Sequence, residues 1–151
     1  MKPYPLLLIL SAVSLFAAGQ PALHRYDAGV SRELAQLRKQ EIKDLRYDLR
    51  FSIPRDKHTP VTGEGRIRFR LDAPTEIVID FREAKDKIAE VRVNGKTAAY
   101  TFRNEHIILP AALTQAGENA ISVRFTAGDQ SLNRNDDFLY SLSVPDRART
   151  I

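Results

Sequence analysis

Between Leu45 and Ile53 every second side chain is apolar: Leu45, Tyr47, Leu49, Phe51 and Ile53 alternate with Arg46, Asp48, Arg50 and Ser52. An extended strand sorts such residues onto two opposite faces, whereas a helix would scatter them around its axis. The stretch therefore predicts a strand with one face buried and one in water. Pro54 to Pro60 is polar and bounded by proline, a turn, after which Gly65, Ile67, Phe69 and Leu71 resume the alternation against Arg66, Arg68 and Arg70. The two strands are expected to pair as a long hairpin.

The same period recurs down the chain. Glu76 to Phe81, with Ile77, Val78 and Ile79 at its centre, is apolar without a break, which predicts a strand covered on both faces and central in its sheet. Ile88 to Val93 leads into Asn94–Gly95, a pair that tolerates positive φ and so favours a tight hairpin, with Lys96 to Tyr100 as the return. Tyr100 to Phe102 and His106 to Leu109 flank a turn at Asn104. After Pro110 to Leu113, Gly117–Glu118–Asn119 reads as a turn, and Ile121, Val123 and Phe125 alternate with Ser122, Arg124 and Thr126. Gly128 to Asp137 is expected as the one long polar loop, the kind of segment that faces partners, and Phe138 to Val144 as the last strand.

A single helix is expected from Val30 to about Asp44. Ser31 is its N-cap, Glu33 lies in the first turn, Leu34, Leu37 and Ile42 form one stripe, and Arg32, Gln36, Arg38, Lys39 and Gln40 face solvent. Seven or eight short strands and one short N-terminal helix predict an all-β fold, an antiparallel β-sandwich. Met1 to Gly19 has a basic start at Lys2, an apolar run from Leu6 to Ala18 and small residues at Ala17, Ala18 and Gly19, the layout of a secretory signal. The run is shorter than the roughly 20 residues that cross a bilayer. The organisation expected is a signal peptide over 1–19, an extension and short helix over 20–41, and a β-domain over 42–151. Export to the periplasm or the extracellular space follows, with no membrane span after cleavage.

Composition narrows the chemistry. A net charge of +4, less after loss of Lys2, is too small to argue for nucleic acid, and Arg46, Arg50, Arg66, Arg68 and Arg70 alternate onto the solvent side of their strands. The absence of cysteine excludes disulfides, thiolate metal ligands and cysteine nucleophiles. His24, His58 and His106 lack the spacing of a zinc site, and Glu105–His106 has no second histidine to complete HExxH; His106 is expected at an ordinary edge or face position. There is no Gly-x-Ser-x-Gly elbow or phosphate loop. Gly63–Glu64–Gly65 suggests a bend or bulge, and Asp136–Asp137 a pair of solvated loop carboxylates. No catalytic, cofactor-binding or metal-binding residue is expected.

The stretch from Phe125–Thr126–Ala127–Gly128 through Arg134–Asn135–Asp136–Asp137–Phe138–Leu139–Tyr140, followed by Val144–Pro145–Asp146–Arg147–Ala148–Arg149, resembles the end of the N-terminal domain of M1-family (gluzincin) zinc aminopeptidases, aminopeptidase N-like. Gly29–Val30–Ser31–Arg32–Glu33–Leu34–Ala35, Arg46–Tyr47–Asp48–Leu49 and Gly63–Glu64–Gly65 resemble earlier parts of that domain. The resemblance covers Gly29 to Ile151. It implies a saddle-like β-domain packed on a thermolysin-like catalytic domain that would carry zinc and remove N-terminal residues from a peptide substrate. The zinc motif and the Gly-Ala-Met-Glu-Asn motif are not in this sequence, so the resemblance implies a piece of the enzyme, a fragment or a truncated reading frame, inactive alone. It also places Leu142 and Val144 where many members carry a Gln and a Glu bordering the substrate pocket. Leu142 would then be an apolar wall, and the alternative is a plain strand core residue. Packing on a neighbour predicts an apolar interface at Phe138, Leu139, Tyr140, Leu142 and Val144. Two other functions stay open: a free-standing exported module binding protein or carbohydrate, and a scaffold for partner subunits.

Overall fold

The computed structural model describes residues 26–128, 132–135 and 137–141. Its helix, α1 (Arg32–Glu41), starts where Ser31 caps it: the Ser31 backbone is extended and its Oγ accepts from the Leu34 N–H at 3.1 Å. That bond satisfies one of the donors a first turn leaves over. Glu33 in the first turn and Arg38 and Lys39 in the last complement the helix dipole. The helix stops before the expected Asp44, because Ile42 is already extended and Asp44 takes a φ of 52°.

Among the described residues ten strands follow in chain order: β1 (Lys43–Ser52), β2 (Thr62–Leu71), β3 (Ile77–Asp80), β4 (Ile88–Val93), β5 (Lys96–Thr97), β6 (Thr101–Arg103), β7 (His106–Leu109), β8 (Gly117–Thr126), β9 (Leu132–Arg134) and β10 (Leu139–Ser141). Antiparallel pairing gives a five-stranded sheet in the order β1-β2-β8-β4-β5, a three-stranded sheet β3-β7-β6, and the hairpin β9-β10. The expected all-β, sandwich-like architecture with one helix is the one observed. Asn94 and Gly95 turn with φ of 51° and 81°, and Asn104 and Glu105 with 47° and 65°, the left-handed pairs that tight hairpins need.

Alternation decides which side chains meet. Phe69 and Leu71 of β2, Val91 and Val93 of β4, and Ile121 and Val123 of β8 share one buried cluster with Ile77, Ile107 and Leu109 of the smaller sheet. Each such side chain contributes about 1.5–3 kcal/mol when fully buried. On the opposite side of the smaller sheet Val78 and Ile108 form a second cluster with Leu34 of α1. The layers are therefore helix, small sheet, large sheet. β3 is apolar without a break because it is covered from both sides, yet it lies at the edge of its sheet, which corrects the expected central position.

Three further expectations change. Gly117, at φ 88°, opens β8 instead of belonging to a separate turn, so Glu118 and Asn119 are strand residues. No bulge occurs at Gly63–Glu64–Gly65, since β2 keeps register with β8 from Thr62 to Leu71. Gly63 is small for another reason: a Cβ there would lie 2.5 Å from Cζ of Phe125, whose ring covers it and packs edge-on against Phe51 and Phe81 at 6.1 and 5.5 Å. Finally, β1 is not half-buried. It is the end strand, beyond the shelter of the smaller sheet, and its apolar stripe stays open.

Candidate functional site: an uncovered apolar face

The stripe on β1 is exposed along its length: Leu45 44%, Tyr47 49%, Leu49 59%, Phe51 53% and Ile53 42%. Register places it in the plane of the core, with Tyr47 opposite Ile67, Leu49 opposite Gly65 and Phe51 opposite Gly63. The inner face of the large sheet thus runs on past its cover. Tyr47 is buried enough on one side that its phenol is pushed up from the ordinary value, with the Arg38 charge opposing and the Asp80 charge adding to the shift.

The hairpin β9-β10 prolongs this surface. Asn135 closes its turn, Oδ1 accepting from the N–H groups of Asp137 and Phe138 at 3.0 and 2.8 Å. Arg134 fixes the hairpin to the end of β1. Its Nη1 donates to the carbonyls of Pro54, Asp56 and Thr59 at 2.9, 3.2 and 3.1 Å, and its Nη2 to those of Lys57 and Thr59 at 3.4 and 3.1 Å. The planar guanidinium fork suits such a ring of acceptors, which a lysine could not serve together. Inside this loop Asp56 accepts from the His58 N–H at 2.9 Å and the Thr59 hydroxyl at 3.0 Å, and these bonds hold its carboxyl below the usual range.

Between the loop and the hairpin lies a cleft of about 320 Å³ lined by Ile53, Pro54, Arg134, Phe138 and Leu139 among others. Phe138, Leu139 and Tyr140 are 53%, 55% and 54% exposed. Three of the five residues expected at an apolar interface are therefore open to solvent. Leu142 and Val144, the pocket-wall candidates, lie outside the described residues, as do Met1 to Gly19, His24 and Asp136. The missed part of the surface is β1, whose alternation is the same whether a face is covered by its own fold or by something else.

Polar chemistry is concentrated under α1. Arg38 grips Asp80 with both nitrogens, Nη1 to Oδ2 at 2.8 Å and Nη2 to Oδ1 at 2.6 Å, and also donates to the Val78 carbonyl at 2.8 Å. His106 is fully buried, its Nε2–H donating to the Asp27 carbonyl at 2.9 Å. Its Nδ1 lies 3.0 Å from Asp80 Oδ1 without making a hydrogen bond to it. Two readings are corrected here: Arg38 is a tether between α1 and β3 instead of a solvent-facing residue, and His106 is an interior one. A histidine–aspartate pair can act as a base only with a ring nitrogen open to substrate. This one has none, so the cluster is structural. In the sequence, the apolar neighbours Ile107, Ile108 and Leu109 were the signal that His106 was buried.

On the outer face of the large sheet Arg66 pairs with Glu64 at 2.9 Å, and Arg92 and Arg124 both reach Glu90 at 2.7 and 2.9 Å. The Arg92 hydrogen bond, with the charges of Arg92 and Arg124, holds the Glu90 carboxyl below its ordinary range. Among the described residues no group of three His, Asp or Glu could hold a metal ion, and no helix is long and apolar enough to cross a membrane. In comparison with known proteins, no family model and no curated protein matches the chain.

Proposed function

We propose that this chain is the N-terminal β-domain of an exported zinc aminopeptidase of the M1 type, a scaffold that borders the substrate entrance and is inactive by itself. The observation that carries the reading is the uncovered face of β1 continued by Phe138, Leu139 and Tyr140. A soluble monomer rarely exposes a contiguous apolar patch beyond a few hundred Å² unless it is an interface. In this reading the face packs on a thermolysin-like domain, which supplies zinc and the water-activating base, and Leu142 and Val144 edge the pocket for the first peptide side chain. The motif resemblance between Phe125 and Arg149 gives the neighbour its identity.

The test is to read the gene past the Ile151 codon for HExxH with a downstream glutamate, then to assay the joined protein on aminoacyl anilides. Zinc-dependent release of the first residue by the joined protein, and none by this chain, is the expected result. Absence of such a motif in every forward frame removes the proposal. A second reading, an exported module that binds protein or carbohydrate, draws on the exposed aromatic rings of Tyr47, Phe51, Phe138 and Tyr140. It requires saturable binding of a peptide or oligosaccharide by this chain alone, lost in Phe138→Ala and Tyr140→Ala.

A further inference from the structure

Beyond that reading, we propose that β1 is a self-pairing edge through which two copies of this chain join, antiparallel, about a two-fold axis at Leu49. The pairing uses the backbone edge of β1, whereas the proposed neighbour uses its apolar face, so neither idea rests on the other.

β1 ends the sheet order, and its outer row of backbone N–H and C=O groups has no strand partner among the described residues. Edge strands are normally blunted by lysine, proline, bulges or shortness. From Arg46 to Ser52 β1 has no lysine, proline or bulge, its charged residues Arg46, Asp48 and Arg50 alternate in sign, and its register with β2 is unbroken, the irregularity lying before Arg46. Leu49 is the midpoint of that regular run.

An axis at Leu49 sets Asp48 opposite Arg50 of the second copy and Arg50 opposite its Asp48. On the other face Tyr47 meets Phe51, and Leu45 meets Ile53. Every apolar residue faces an apolar one, Asp48 and Arg50 of each strand are matched, and Arg46 falls opposite the uncharged Ser52. Cross-strand pairs of these kinds are the favourable ones. Other registers fail. An axis at Asp48 opposes Asp48 to itself and Arg46 to Arg50, and an axis at Arg50 opposes two arginines. An axis at Tyr47 needs pairing through Lys43 to Leu45, where Asp44 at φ 52° breaks the strand. A slip by one residue sets the apolar face against the polar one. The interface is isologous, as closed dimers require.

Sedimentation of the full chain over a concentration series is expected to show a reversible monomer–dimer equilibrium. D48R and R50D each set like charges at both symmetric pairs and should weaken it tenfold or more. Mixing the two variants restores pairing as a heterodimer, because every introduced charge then meets its opposite, and the double variant D48R/R50D restores the homodimer. The cysteine-free chain allows a second measurement that does not depend on those charges. L49C forms a disulfide-linked dimer on oxidation, since antiparallel partners lie within the roughly 4.4–6.8 Å Cα separation a disulfide spans, while F51C, which would face Tyr47, does not. A wild type that stays monomeric to about 0.1 mM, single variants that pair as well as the wild type, or equal cross-linking of L49C and F51C overturns the proposal.

Discussion

Asn119 is 3% exposed and uses its whole amide. Nδ2 donates to the carbonyls of Gln115 and Gly117 at 2.7 and 3.1 Å, and Oδ1 accepts from the Gln115 N–H at 3.0 Å and from Asn94 Nδ2 at 3.1 Å. Asn119→Ala strands buried donors and acceptors, for which about 1–3 kcal/mol is the usual cost. A urea midpoint lowered accordingly is expected; a change below about 0.5 kcal/mol, the range of ordinary surface substitutions, would remove this account. In the sequence Gly-Glu-Asn looks like a turn, yet Asn119 is in phase with Ile121, Val123 and Phe125, and that phase was the legible sign that it points inward. Asp56 gives a prediction of the other kind. Hydrogen bonds from His58 and Thr59 favour its charged form, so its folded pKa lies below the unfolded one. The stabilisation is therefore present above the unfolded value and lost as pH falls through the folded value. The loop over 54–59 should loosen in acid and not in base. Carboxyl NMR titration should find Asp56 low in the wild type and nearer the ordinary carboxylate value in Thr59→Val; equal values in the two proteins would discard the Thr59 contribution.

At the scale of elements, the hairpin β9-β10 is held by one side chain more than by its own pairing, which spans only Leu139 to Ser141 against Leu132 to Arg134. An isolated short hairpin is marginal in water, and the five donations from Arg134 supply the tether. Hydrogen bonds from a charged donor contribute about 1.5–3 kcal/mol each where well shielded, and less here, where the loop is open to solvent. Arg134→Ala is expected to raise amide exchange tenfold or more across the hairpin and the 54–59 loop while leaving β7 and β8 protected, with Arg134→Lys intermediate. Unchanged exchange in the hairpin would show that something else holds it. The sequence shows why this element was hard to see. Gly128 to Asp137 is polar and reads as loop, and the strand within it has too few residues to display a period. Conversely β3 displayed its apolar run plainly, but that run reports cover on two faces and carries no information about rank in the sheet.

For the whole molecule, two apolar sets, each lining one face of its strand, have opposite fates. Leu109 and Ile107 of the smaller sheet lie at zero exposure between the two sheets, while Leu45 and Leu49 stand on the open end of the large sheet's inner face. Alternation records that a strand has one face made for contact; it does not record which body supplies the contact. That is why the sandwich, the capped helix and most turns could be read from residues, and the β1 part of the open surface could not. The difference is measurable. Leu109→Ala should cost about 2–5 kcal/mol, as deletions in a packed core do. Leu45→Ser and Leu49→Ser together should change stability by only about 1 kcal/mol, near the range of surface substitutions, while binding of a hydrophobic dye to the folded chain falls. If the serine pair instead lowered stability as far as Leu109→Ala, the β1 stripe would be part of this domain's own core, and the proposed packing of this face on a neighbour would have to be given up.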